Sequence, residues 1–253
     1  QNVVTNPTDK ANSRLLTEGV LYAAQFNADG TGRWIPLQAS TIVDPTPPTF
    51  LSGVMLPLPQ RPQGGILRAD DDEQVAAFKR KYPTLGDLYT GTAIEQQGAI
   101  LIDAHFAANA AGATCTARPE DTDIAPDGSL YITFTSGAIS REDGSPDLRI
   151  FRGPDGNTAY EYGWIMRLVE DDNDPAAIGF RWEMVTTGGE PIHGGNGFAN
   201  PDNLTFDPQG NLWVVTDMSS DKLNREVPAD RLEKDGRAVN ASNLRGVFGN
   251  NSI

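Results

Sequence analysis

Two carboxylates occupy the same place in two copies of one sequence pattern. The stretch "RPEDTDIAPDGSLYITFT" runs from residue 118 to 135, and "NPDNLTFDPQGNLWVVTD" from 200 to 217. Laid over each other at an interval of 82 residues, they share Pro119/Pro201, Pro126/Pro208, Gly128/Gly210 and Leu130/Leu212. Each also carries an acid directly after its first proline, Glu120 and Asp202. If the copies are equivalent units around one axis, these acids converge. Converging carboxylates repel each other unless a cation sits between them. The pattern therefore points to a metal site, and Asp121 and Asn203, the next residues, offer further oxygen ligands. The competing reading is that both acids cap turns or form surface ion pairs.

The other chemistry-bearing residues carry less. His193, in the glycine-rich "GGEPIHGGNG", stands shortly before the Asp202 strand and is placed to approach a substrate. His105 falls in an alanine-rich run and reads as a packed or surface residue. Cys115 has no histidine base nearby in the sequence and reads as a packed thiol. Asp127 and Asp207 sit in Pro-x-Gly turns and suit turn chemistry. Asp217 ends a strand and is expected to bind a loop amide. "EDDNDP" at 170–175 lacks the spaced ligands and trailing Glu of an EF-hand, and reads as an acidic hairpin tip.

Each matched stretch reads as strand, Pro-x-Gly turn, strand. Between them, residues 163–187 read as a second kind of hairpin, with an acidic turn and Trp182 on its return strand. Residues 19–37 have the same layout around "NADGTG", with Trp34 in the matching place. Alternating inner and outer hairpins build four-stranded antiparallel sheets, and repetition of such sheets is the signature of a β-propeller. An open β-sandwich is the alternative. The predicted fold is thus dominated by β-structure: a propeller arc with one full blade at about 118–187 and half blades at about 12–37 and 200–253. An insertion at about 70–112 carries helices over 70–83, where acids lead and basic residues follow, and over 99–111. Residues 38–69, rich in Pro, Thr and Gly, read as irregular. On this reading the chain is a central fragment of a larger ring, with exposed sheet edges through which it could self-associate.

The bulk properties set outer bounds. In 253 residues, 38% are hydrophobic and 21% charged, enough for a globular core. No apolar run reaches the ~18 residues needed to span a bilayer. A net charge of −14 argues against nucleic acid as a partner. One cysteine and two histidines exclude cysteine-rich and histidine-rich metal sites, leaving oxygen ligands and hard cations.

Three segments, "GATCTARPEDTDIAPDGSLYITFT", "YGWIMRL" and "FANPDNLTFDPQGNLWVVTD", resemble the PhoX-type alkaline phosphatases, also catalogued as a bacterial family of unknown function. "NSRLLTEGVLYAAQFNADGTGRWIPL" resembles a blade of that family, so the likeness runs from about residue 12 to 217. The resemblance implies a six-bladed propeller exported to the periplasm or beyond. It also implies hydrolysis of small phosphomonoesters at a cluster of iron and calcium ions, with Glu120 as a metal ligand. The family's metal-binding cysteine belongs to an upstream motif absent here, and Cys115 is not its equivalent. A downstream Glu-rich segment is absent too. The chain by itself is then expected to be weakly active or inactive. A calcium-dependent lactonase or esterase propeller, and a non-catalytic binding scaffold, are the competing functions.

Overall fold

The computed structural model describes residues 19–60, 64–137, 145–154, 156, 160–189, 191 and 194–218. His193 lies outside them, as do the outer parts of the two expected half blades. The architecture is mostly β, an arc of antiparallel propeller-type sheet with three short helices inserted.

The strands are β1 (Tyr22–Phe26), β2 (Thr31–Pro36), β3 (Leu56–Pro59), β4 (Ile66–Ala69), β5 (Pro119–Ile124), β6 (Leu130–Phe134), β7 (Trp164–Glu170), β8 (Gly179–Thr187), β9 (Pro201–Phe206) and β10 (Leu212–Thr216). Strands β5, β6, β7 and β8 follow one another as an antiparallel meander. The β1–β2 hairpin does not stand apart. Thr31–Arg33 pair with Gly179–Arg181, so β2 joins the outer edge of β8 and the sheet has six strands. Trp182 secures this seam: its indole N–H donates to the carbonyls of Asn27 and Thr31 across the β1–β2 turn.

The core under this sheet is aromatic. Phe134, Phe151 and Trp164 meet edge to face at 4.9 and 5.4 Å. Phe180 meets Phe26 at 5.5 Å and Trp34 at 5.0 Å. Edge-to-face pairs of this kind add to the burial of large apolar surface.

The two matched stretches fold alike. In the first, Gly128 adopts φ +88° and Asp127 Oδ1 accepts the Ser129 N–H. In the second, Gly210 adopts φ +83° and Asp207 Oδ1 accepts from Gln209 and Asn211. Glycine is required at both because the turn needs the left-handed region. The second hairpin, β9–β10, forms its own two-stranded sheet beside β5.

The insertion holds α1 (Asp72–Lys81), α2 (Ala93–Ile102) and α3 (Ala104–Ala111). Asp71 caps α1 by accepting the Gln74 N–H, with Asp72 and Glu73 leading and Lys79, Arg80 and Lys81 closing. The alanine-rich run forms two helices instead of one, because a Thr92–Glu95 capping box starts a helix earlier and the chain breaks at Asp103. The 38–69 region is not wholly irregular: β3 and β4 pair there as a separate hairpin. Asn109 on α3 donates to the Pro57 carbonyl and fixes the helix on β3. No helix among the described residues is long and apolar enough to cross a membrane.

Phe180 is 2% exposed, whereas Ile124 is 64% exposed. Phe180→Ala should cost about 3–5 kcal/mol and Ile124→Ala less than about 1 kcal/mol, read from urea midpoints. Asp207 gives a pH prediction. Hydrogen bonds from Asn211 and Trp213 lower its carboxyl from the ordinary 3.8 to about 2. A depressed carboxylate contributes stability above its unfolded value and loses it as pH falls through the folded one. The Trp213 indole, 3.0 Å from Asp207 Oδ2, should therefore show a fluorescence transition near pH 2 that is missing in Asp207→Asn.

Candidate functional site

The hairpin β5–β6 is closed by the Thr135 N–H donating to the Arg118 carbonyl at 3.0 Å. The hairpin β9–β10 is closed in the same way, by Asp217 N–H to the Asn200 carbonyl at 3.0 Å. These closed ends lie together and enclose a polar cleft of about 190 Å³. Arg118, Glu120, Thr135 and Ser136 line it from the first hairpin, and Asn200, Asp202 and Asp217 from the second. Glu120 and Asp202, singled out by the repeat, are thus brought into one cavity. Arg118 Nη2 lies 3.3 Å from Glu120 Oε1 across the mouth.

Two buried residues hold this end. The ladder between β5 and β6 shifts register between Pro119 and Thr122, a bulge that leaves the Asp121 N–H without a ladder partner. The fully buried Thr133 hydroxyl accepts that N–H at 3.0 Å and donates to the carbonyl of Asp202. One hydroxyl therefore links the backbones that carry both acids. Asn200 adopts φ +54°, a conformation that asparagine tolerates. Its side-chain amide donates to Thr135 O at 2.7 Å and Glu161 O at 2.9 Å.

Asp121 and Asn203 are also brought together, but with each other. Asp121 Oδ2 accepts the Leu204 N–H at 3.0 Å and lies 3.4 Å from Asn203 Nδ2, while Oδ1 accepts the Thr122 N–H at 2.8 Å. Two residues on, Asp123 Oδ2 accepts the Phe206 N–H and the Thr205 hydroxyl. The Leu204 N–H, then that of Thr122, holds the Asp121 carboxyl below its usual range. The Phe206 and Ile124 N–H groups do the same for Asp123. These carboxylates dock one hairpin on the other.

His105 and Cys115 line a second cleft, of about 580 Å³, which shares Arg118 and Ser136 with the first. Cys115 Sγ lies 3.8 Å from Asn109 Oδ1. Arg118 and Asp217 are cleft residues that the repeat alone did not single out. Antiparallel pairing was the usable signal, since whatever closes a hairpin opposite Glu120 or Asp202 must share its end. Among the described residues, no group of three or more His, Cys, Asp or Glu side chains is close enough to hold a metal ion.

The sequence profile of the family described as alkaline phosphatase PhoX matches residues 1–252. The chain belongs to the PhoX alkaline phosphatase family. No curated protein matches it. Among solved structures it is similar to Pseudomonas fluorescens PhoX in complex with vanadate, a transition state analogue, with a TM-score of 0.57 and 27% identity. That match covers 93% of this chain and 35% of the Pseudomonas chain, so this chain spans about a third of the length of its structural relative.

Thr133→Val keeps the shape and removes the hydroxyl, leaving the Asp121 N–H and the Asp202 carbonyl without their partner. It should cost about 1–3 kcal/mol, with Thr133→Ser close to wild type. Equal denaturation midpoints for the Val and Ser variants would show that the link carries no weight.

Proposed function

We propose that the 190 Å³ cleft is part of a metal-assisted centre that hydrolyses small phosphomonoesters. One observation carries this reading: Glu120 and Asp202, from register-equivalent positions of two hairpins, share a cavity with Arg118. Membership of the PhoX family and likeness to a protein that binds vanadate as a transition state analogue support it. In the same reading, β5–β8 is one blade of the propeller and β9–β10 the inner pair of the next, and the protein acts outside the cytoplasm.

The donor chemistry suits a hard cation. Glu120, Asp202 and Asp217 offer carboxylate oxygens, the ligands that calcium and ferric iron favour. With no set of three among the described residues, the remaining ligands come from water, from the substrate or from other residues. A cation held there supplies Lewis-acid stabilisation of phosphoryl oxygens and lowers the pKa of bound water.

The chain's own residues have distinct roles. Glu120 and Asp202 bind the cation edge of the cleft. Arg118 is the phosphoryl clamp. Its planar guanidinium offers parallel N–H donors that match two phosphoryl oxygens. Its pairing with Glu120 is half-exposed and weak, as surface ion pairs are, so a phosphate dianion can displace the carboxylate and free it for the cation. Thr133 and Asn200 keep the two hairpin ends in register.

Glu120→Gln preserves size and removes charge. In the purified protein it should lower bound calcium and iron by about 10–100-fold, the range for lesions at metal sites, and any phosphomonoester hydrolysis should fall with them. Asp127→Asn, in a turn and paired with Arg167, should leave both nearly unchanged. Unchanged metal content in Glu120→Gln, measured by elemental analysis, would remove the main support for a cation here.

A further inference from the structure

The 580 Å³ cleft is unused in the scheme above, yet it shares lining residues with the acidic cleft. Arg118 and Ser136 stand in the walls of both cavities. The two differ in size and chemistry. At about 190 Å³ the acidic cleft is smaller than sites that enclose organic molecules, which run from about 300 to 1,000 Å³. It has room for a phosphoryl-sized group and little more. The larger cleft falls inside that range.

Its lining is unusual for this chain. The protein carries a net charge of −14, yet among the described residues no Asp or Glu lines the larger cleft. Ala23 and Ala24 of β1 and Ala108 of α3 supply small apolar walls. Two of the polar side chains in the wall, Thr114 and Asn109, are engaged with the protein. The Thr114 hydroxyl accepts the Phe26 N–H at 2.8 Å, and the Asn109 amide donates to Pro57 O and accepts from Cys115. The alanines offer contact area, and these two side chains have little hydrogen-bonding capacity left for a ligand.

We propose that this cleft binds the organic group of the phosphomonoester, an uncharged aromatic or nucleoside-sized alcohol, while its phosphoryl group meets Arg118. This rests on the reading of the acidic cleft as the phosphoryl site. Because the wall recognises by contact and size, it accepts many alcohols of suitable bulk and favours larger apolar ones over methyl-sized ones.

Cys115 makes the test site-specific. It is the protein's only cysteine, half-buried in the wall of the larger cleft. Reaction with benzyl methanethiosulfonate places a plug in that cleft alone. Binding of phosphate, methylphosphonate and phenylphosphonate, measured calorimetrically with calcium present, then separates the two cavities. Phenylphosphonate should bind the unlabelled protein about 10–100-fold more tightly than methylphosphonate, as burial of a ring predicts. Labelling should abolish that gain and leave phosphate binding within about twofold. Dithiothreitol should restore the gain, and Cys115→Ser should be indifferent to the reagent. If the thiol resists labelling, Ala108→Trp supplies the plug from the α3 wall, with the same expectation. If phosphate binds but the phenyl group adds nothing, or the gain survives the plug, the organic-group site is wrong while the phosphoryl reading stands. If none of the three anions binds, the acidic cleft is not a phosphoryl site, and the proposal built on it falls as well.

Discussion

Two carboxylates take the place of a strand in this protein, and the candidate site depends on them. β5 and β9 lie side by side without a backbone ladder between them. Asp121 and Asp123 reach across instead and accept the N–H groups of Leu204 and Phe206, two residues apart on each strand. The spacing matches the period of a strand, whose alternate residues share a face. Buried backbone donors demand partners, and a charged acceptor makes a stronger bond than a neutral one. Glu120, beside the bulge, lines the cleft instead of the seam. Moving β9 by one residue would strand both carboxylates and separate Asp202 from Glu120.

Around that seam, neutral groups set position and charged groups remain available. Thr133 and Asn200 are buried and spend their hydrogen bonds on backbone. Arg118, by contrast, is largely exposed and, among the described residues, is paired with Glu120 at the cleft. This division has a physical basis. A buried, satisfied hydroxyl or amide fixes geometry at modest cost, whereas burying an unpaired charge is expensive. Three acids and one arginine line the small polar cleft, and the largely exposed Arg118 offsets part of their charge.

Much of this was legible in the sequence, for reasons that differ by element. The 82-residue repeat predicted two like hairpins because its glycines stand where the turn needs positive φ, and its acids stand second in β5 and β9. The first helix was legible from its charge gradient. β3 and β4 were hidden, because Pro57 and Pro59 make a strand look like a loop; a short hairpin outside the main sheet tolerates them. The break at Asp103 was hidden by the alanines on either side, which favour helix equally. The pairing of β2 with β8 was hidden because it joins segments about 150 residues apart, and no local pattern records such a contact. In the site, spacing identified Glu120 and Asp202. It did not reveal that Asp121 turns to a neighbouring backbone, because a carboxylate serves as ligand or as docking group with the same side chain.

The two hairpins match in backbone but not in charge, and the mismatch bears on function. Where the first has Arg118, the second has Asn200; where the first has Thr135, the second has Asp217. A strict repeat would place either two arginines or two further acids at the cleft. Two arginines would neutralise Glu120 and Asp202 and leave no ligand for a cation. Four acids without an arginine would repel a phosphate dianion. One hairpin contributes an arginine and the other an additional carboxylate, so that opposite charges stand side by side in one small cavity. In the proposed reading, that arrangement supplies negative ligands for a cation and a positive fork for phosphoryl oxygens. Duplication explains why the acids share a place, and divergence at the hairpin ends explains how that place could do chemistry.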